Sequence, residues 1–201
     1  MILIGYSGHA YVVTGILHAA GKKVIGYCDV TKKTYNPFNL PYIGNESSAE
    51  AIDAFKKNSF FIAIGDNQVR KKVFEQLKKQ NLFPANAIHP SAVMDVTATL
   101  AKHGIMVAAN VTINPLVSVG ICAICNTGAI IEHECIIGDF AHVGPGAVLC
   151  GNVKVGDGAF IGAHAVVRQG INIGKNAIIG AGAVVVKDVA DDVTVMGVPA
   201  K

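Results

Sequence analysis

From Val107 to Val185 an apolar residue recurs at every sixth position without a miss. Two residues before each member of that row stands a small or aliphatic side chain, from Ile105, Val111 and Val117 through Ala123 and Ala129 to Ala177 and Ala183. Glycine follows the apolar residue in seven of the fourteen hexads, as in Ile137-Gly138 and Ile179-Gly180. A period of six fits neither a helix nor the alternation of an ordinary strand. It fits a solenoid that turns a corner every six residues, so that three hexads close one triangular coil. Residues eighteen apart then lie on the same edge of neighbouring coils, about 4.8 Å from one another. The regular part spans roughly five coils. Hexads begin irregularly near His89-Pro90-Ser91, and residues 102–104 interrupt the register.

The first eighty residues follow another pattern. Short apolar runs at 1–5, 23–28 and 60–64 predict three strands, and segments 9–20, 49–57 and 68–80 predict helices. In the last of these, Val69, Val73, Phe74 and Leu77 follow helical spacing. Residues 36–48 hold two prolines and turn-forming residues with no period, which predicts a loop. Strand and helix in alternation make a small parallel α/β, Rossmann-like unit. The division expected is a small α/β domain over 1–84 and a parallel β-helix of hexapeptide repeats over 85–201.

Composition narrows the partners. The chain of 201 residues is 51% hydrophobic and 15% charged, with 22 Gly and no Trp, which suits a core of stacked small aliphatics. A net charge of +3 with scattered Lys and Arg gives no basic stripe, so no nucleic-acid partner is expected. The N-terminus lacks a basic region and a cleavage site, and the apolar stretch 117–131 is too short to span a bilayer. The expectation is a cytoplasmic protein with no membrane span. Five cysteines form no framework, and Cys122-x-x-Cys125 lacks the second pair of a metal knuckle. Reduced structural thiols follow.

Two places carry candidate chemistry. Gly5-x-Ser7-Gly8 after the first strand lets backbone amides and a helix N-terminus face an anion, although the middle glycine of the dinucleotide fingerprint is missing. Asp29 stands where a ribose-binding acid sits in such units, and Gly65 ends the third strand. His9 lies at the helix start, where an imidazole can also serve as a simple cap. In the coils, His133 lies between Glu132 and Glu134, a polar trio that must face outward and suits a general base. Gly151 follows it by eighteen, one coil above. Pro145, Ala163 and Ala181 form one column, and Gly144, Gly162 and Gly180 its neighbour, leaving an edge open to an extended ligand such as a pantetheine arm. His142 reads either as a site residue or as a packed one, and His164 has no assigned role. A three-histidine zinc site needs closer spacings than the nine and twenty-two found here, so no metal is expected.

With these residues in view, the chain resembles the left-handed β-helix sugar acyltransferases that carry a small α/β domain. The resemblance runs through the opening Gly-x-Ser-Gly-His and Phe61-Ile-Ala-Ile-Gly-Asp-Asn67 with Arg70-Lys71-Lys72. It continues through Ile131-Glu-His-Glu-Cys-Ile-Ile-Gly138, Gly151-Asn152-Val153-Lys154-Val155-Gly156 and the closing Gly197-Val-Pro-Ala-Lys201. It is most similar to the UDP-4-amino-sugar N-acetyltransferases of the bacillosamine pathway, with sialic acid O-acetyltransferases sharing the domain plan. The resemblance implies a homotrimer with its active site between adjacent β-helices, acetyl-CoA as co-substrate and a UDP-linked amino sugar as acceptor. It implies His133 as general base, Glu134 as its supporting carboxylate and the Gly151 amide as oxyanion donor. His142, Ala163 and Ala181 would line the acetyl-CoA site, and Ser7, Gly8, His9, Asp29 and Gly65 would hold the nucleotide. Val30 departs from the pattern, which places a second acid after Asp29. Two other readings stay open: O-acetylation of a surface sugar, and a nucleotide-sugar-binding trimer without catalysis.

Overall fold

The computed structural model describes all 201 residues. Its N-terminal part is a four-stranded parallel sheet: β1 (Ile2–Ile4), β2 (Gly26–Cys28), β3 (Tyr42–Gly44) and β4 (Phe60–Ile62), ordered β3-β2-β1-β4. Helices α1 (Gly8–Ala19), α2 (Ala49–Lys57) and α3 (Asn67–Lys78) connect them. Two helices start on side-chain caps, Ser48 accepting from the Ala51 amide and Asp66 from the Val69 amide, whereas Ser7 at the start of α1 makes no such bond. The segment expected to be a loop at 36–48 contains β3, an edge strand of three residues flanked by Pro41 and Asn45, too short to show a period.

From Ala87 onward the chain winds through eighteen two-residue strands, β5 (Ala87–Ile88) to β22 (Thr194–Val195), in three parallel sheets. These sheets are the faces of a left-handed triangular β-helix. The first face holds Ser118–Val119, Ile136–Ile137 and Lys154–Val155. The second holds Ile124–Cys125, His142–Val143 and Phe160–Ile161. The third holds Ile130–Ile131, Val148–Leu149 and Val166–Val167. Register advances by eighteen residues per coil, as in Ile136↔Lys154, but by nineteen in the lowest coil, as in Ala87↔Met106, and by sixteen in the last, as in Ile178↔Thr194. The extra residue falls within 101–105, where the hexads break.

Both inward rows are buried throughout, from Ile105 and Val107 to Ala183 and Val185. Corner residues recur every six positions in the left-handed backbone region, among them Asn110, Gly128, Glu134, Gly146, Asn152 and Asn176. Asn and Gly reach that region at low cost, which accounts for their abundance at the corners. Adjacent coils approach so closely along the Gly144 column that a Cβ there would lie 2.5 Å from the Ile161 carbonyl oxygen.

The two parts share a core. On one side of the sheet Leu3, Tyr6, Val13 and Leu17 join the cluster that contains Met106, Ile124 and the solenoid interior. On the other, Phe74 and Leu77 pack with Cys122 and Phe140 at the corner between the first and second faces. The helical stripe of α3 is therefore offset from the one expected. Val69 is 47% exposed, while Arg70 is buried and sits in phase with Val73, Phe74 and Leu77.

Candidate active site

Arg70 fastens the α/β unit to the solenoid. Its Nε donates to Cys122 O (2.8 Å) and Nη2 to Phe140 O (2.7 Å) and Asn67 Oδ1 (2.8 Å). Its Nη1 donates to Ile64 O and Gly65 O, both at 3.0 Å. No carboxylate pairs with it, and burial pulls the guanidinium down to about 10. Asn67 adds a second tie, donating to Gly158 O at 2.9 Å. In the sequence Arg70 stands out only as part of the Arg70-Lys71-Lys72 motif. Its position in the apolar stripe of α3 was the available signal, because a charge there must be buried with partners.

This junction shapes two adjoining cavities. The first, about 430 Å³, lies between the start of α3 and the second face, with His142, Phe160 and Ile178 as its wall and Gly65–Gln68 as its rim. The second, about 320 Å³, runs along the C-terminal ends of the sheet strands and includes Ser7, Asp29, Val30 and Gly65. Gly65 and Asp66 line both. Gly8 lines a neighbouring recess with Tyr11 and Tyr35. The amides of Gly8, His9 and Ala10 make no hydrogen bond within the chain, and the first turn of α1 carries no acid, which leaves an anion cradle. Gly5 is required where it stands: its φ is +86°, and a Cβ would meet Ile64 Cγ1 at 2.7 Å. Asp29 Oδ2 accepts from the Tyr6 amide (2.8 Å), and Oδ1 pairs with Lys33 (2.8 Å). Each oxygen keeps a lone pair free to accept a further hydrogen bond.

His9 and His142 meet at the junction with ring centroids 6.2 Å apart. Burial and then the Arg70 charge hold His9 down at about 4 and His142 at about 3, so both are neutral at pH 7. His9 Nε2 and His142 Nδ1 have no partner, while His142 Nε2 lies 3.1 Å from Asn126 Nδ2. Ala163 and Ala181 follow Gly162 and Gly180 at the corner just beyond the His142 face, half-buried and exposed respectively.

His133 is elsewhere. It stands at the corner between the third and first faces, with Nδ1 3.1 Å from Glu134 Oε2 and both side chains over half exposed. Gly151 lies directly over the ring: a Cβ there would be 2.5 Å from both Cε1 and Nε2. The Gly151 amide makes no hydrogen bond within the chain. A cavity of about 250 Å³ opens here, lined by His133, Gly151, Asn152, Gln169 and Gly170, and it shares no residue with the other two. One chain thus brings His133, Glu134 and Gly151 together, and separately Ser7, Asp29, Gly65, His9 and His142, on different corners of the prism.

Residues 1–77 match the PglD N-terminal domain, 134–169 the bacterial transferase hexapeptide (six repeats) and 152–187 the hexapeptide repeat of succinyl-transferase. The whole chain superposes on a histidine-to-alanine variant of GDP-perosamine N-acetyl transferase from Caulobacter crescentus, solved with CoA and GDP-perosamine. The two are 38% identical with a TM-score of 0.91, over 100% of this chain and 94% of that one. The chain belongs to the hexapeptide-repeat sugar N-acetyltransferases.

This acetyltransferase family also includes the acetyltransferase domain of PglB from Neisseria gonorrhoeae FA1090, solved with acetyl coenzyme A. It is 29% identical, with a TM-score of 0.86 over 100% of this chain and 97% of that one. A GDP-perosamine N-acetyltransferase of Escherichia coli O157:H7 is 33% identical over 126 residues, 63% of this chain and 50% of that protein. The match thus spans half the length of that relative. No helix of this acetyltransferase is long and apolar enough to cross a membrane.

Proposed function

We propose that the protein transfers the acetyl group of acetyl-CoA to the free amine of a nucleotide-linked amino sugar. The observation that carries this reading is the His133–Glu134 pair beneath the unpartnered Gly151 amide. The amine attacks the thioester carbonyl, forming the C–N bond, and His133 Nε2 accepts the amine proton. Glu134 fixes the ring through Nδ1. The Gly151 amide donates to the oxyanion of the tetrahedral intermediate. Its collapse breaks the C–S bond, and the departing sulfur takes the proton held on His133. Side-by-side binding of both substrates supplies a large part of the acceleration.

The nucleotide lies in the strand-end cavity, held by Ser7, Gly8, His9, Asp29 and Gly65, and the sugar passes Gly65 toward the second face. CoA follows the edge of His142, Ala163 and Ala181. His133 is on another corner, so the site needs a second protomer, and we assign a homotrimer. The outward side of the third face supports it: Val93, Ile130, Val148, Val166 and Val184 form an apolar column broken only by Thr112. Acetyl-CoA and nucleotide sugars as substrates favour the cytoplasm.

The acceptor expected from the sequence was UDP-linked, with a bacillosamine-type product. The higher identity to the GDP-perosamine enzyme (38%) than to PglB (29%) favours a GDP-linked sugar. The perosamine relatives, named as N-acetyltransferases, also favour N- over O-acetylation. The test is release of free CoA thiol from acetyl-CoA with GDP-linked amino sugar, UDP-linked amino sugar and sialic acid offered separately. Release with a nucleotide amino sugar alone is expected. Release with sialic acid alone would move the reaction to a hydroxyl acceptor.

A further inference from the structure

We infer that Glu46 selects guanine, making the acceptor a GDP- rather than a UDP-linked sugar. The inference rests on the nucleotide-sugar reading above and deepens it.

Strand order gives the strand-end cavity a direction. Across the sheet the strands run β3-β2-β1-β4. The cavity is lined beyond β4 by Gly65, beyond β1 by Ser7, beyond β2 by Asp29 and beyond β3 by Glu46. Only its β4 end, at Gly65 and Asp66, is shared with the cavity on the second face, where the sugar must go. A nucleotide sugar threaded from that end sets its diphosphate by the free amides at the start of α1 and its ribose by Asp29. The base then arrives beside β3, at Glu46.

The chemistry at that end is specific. Of the carboxylates lining the strand-end cavity, Asp29 is engaged by the Tyr6 amide and Lys33, and Asp66 caps α3. Glu46 makes no hydrogen bond or ion pair and is half-buried, so its two oxygens are available to a ligand. Val30, 70% exposed, and Val69 offer apolar surface to the flat face of a base. Guanine presents two adjacent donors on its Watson–Crick edge, N1–H and the 2-amino group, which match a carboxylate in a bidentate, charge-assisted pair. Uracil presents a single N–H between two carbonyl oxygens, and these repel a carboxylate. Val30 also removes the second acid expected beside Asp29, so Glu46 is left as the base-reading group at this end.

The test is calorimetric titration of the intact protein with GDP, IDP and UDP, repeated on Glu46→Gln. IDP keeps N1–H and lacks the 2-amino group, so the wild-type comparison needs no variant. GDP is expected to bind the wild type more tightly than IDP or UDP by roughly tenfold or more, the scale of one hydrogen bond to a charged group. In Glu46→Gln, with an unchanged melting temperature, that preference should collapse. Wild-type protein that binds UDP or IDP as tightly as GDP, or a Glu46→Gln variant that keeps the preference, overturns the assignment while leaving a nucleotide site in place. Protein that binds none of the three overturns the nucleotide-sugar reading itself, and the base assignment with it.

Discussion

Replacing Gly151 with Ala isolates the chemistry from the fold. The added methyl carbon would lie 2.5 Å from His133 Cε1 and Nε2. Ordinary contact between such atoms is about 3.5 Å, so the ring must retreat by about 1 Å. Gly151 is not among the residues in the left-handed region, so alanine fits the backbone and the fold should lose nothing. A retreat of that size moves Nε2 from the path of the amine proton and strains the 3.1 Å contact from Nδ1 to Glu134. Misplacement by about 1 Å costs on the order of 10²-fold in rate. Steady-state thiol release should show kcat lowered by that factor, with KM for acetyl-CoA changed little and the melting temperature held or raised. A variant within about threefold of wild type in kcat/KM would refute the placement of the base beneath Gly151.

Other perturbations address the junction. Arg70→Met strips donors from five acceptors and removes a cation whose burial is itself costly, for a net loss of about 4 kcal/mol. Urea unfolding at fixed protein concentration reads that loss, and a change below about 1 kcal/mol would mean the clamp is unimportant. Acidification should also destabilise the fold. His9 and His142 titrate at about 4 and about 3 when folded, below the ordinary value of 6.5. As pH falls below 6.5 the unfolded chain takes up protons that the folded chain refuses, so stability is complete above that pH and declines toward pH 4. The decline by pH 5 is about 2 kcal/mol for each histidine at most. His142→Ile, which continues the Ile124 column, should lose less stability between pH 7 and pH 5 than wild type; an equal loss would contradict the assignment.

Much of this was written in the hexads. A six-residue period fixes which side chains enter the prism, and eighteen-residue spacing alone put Gly151 over His133. What escaped were features built from distant parts of the chain. Arg70 finds its partners 52 and 70 residues away at Cys122 and Phe140, and no local pattern announces that. Val69 and Arg70 both satisfy helical spacing with Val73, and hydrophobicity alone chose the wrong one. The three-residue β3 is too short to show alternation and is recruited by pairing with β2. His142 was ambiguous because its burial depends on α1 and the loop after β4 closing over the second face. The separation of His133 from the strand-end cavity follows from the prism's corners, and becomes clear once the α/β unit is seen on a different one.

The most direct test of the central claim is steady-state turnover of His133→Ala with acetyl-CoA and a nucleotide-linked amino sugar. Loss of a positioned general base should slow turnover by roughly 10²-fold or more, with acetyl-CoA still bound and the melting temperature unchanged. Turnover near the wild-type rate would contradict the account and place proton transfer on another group.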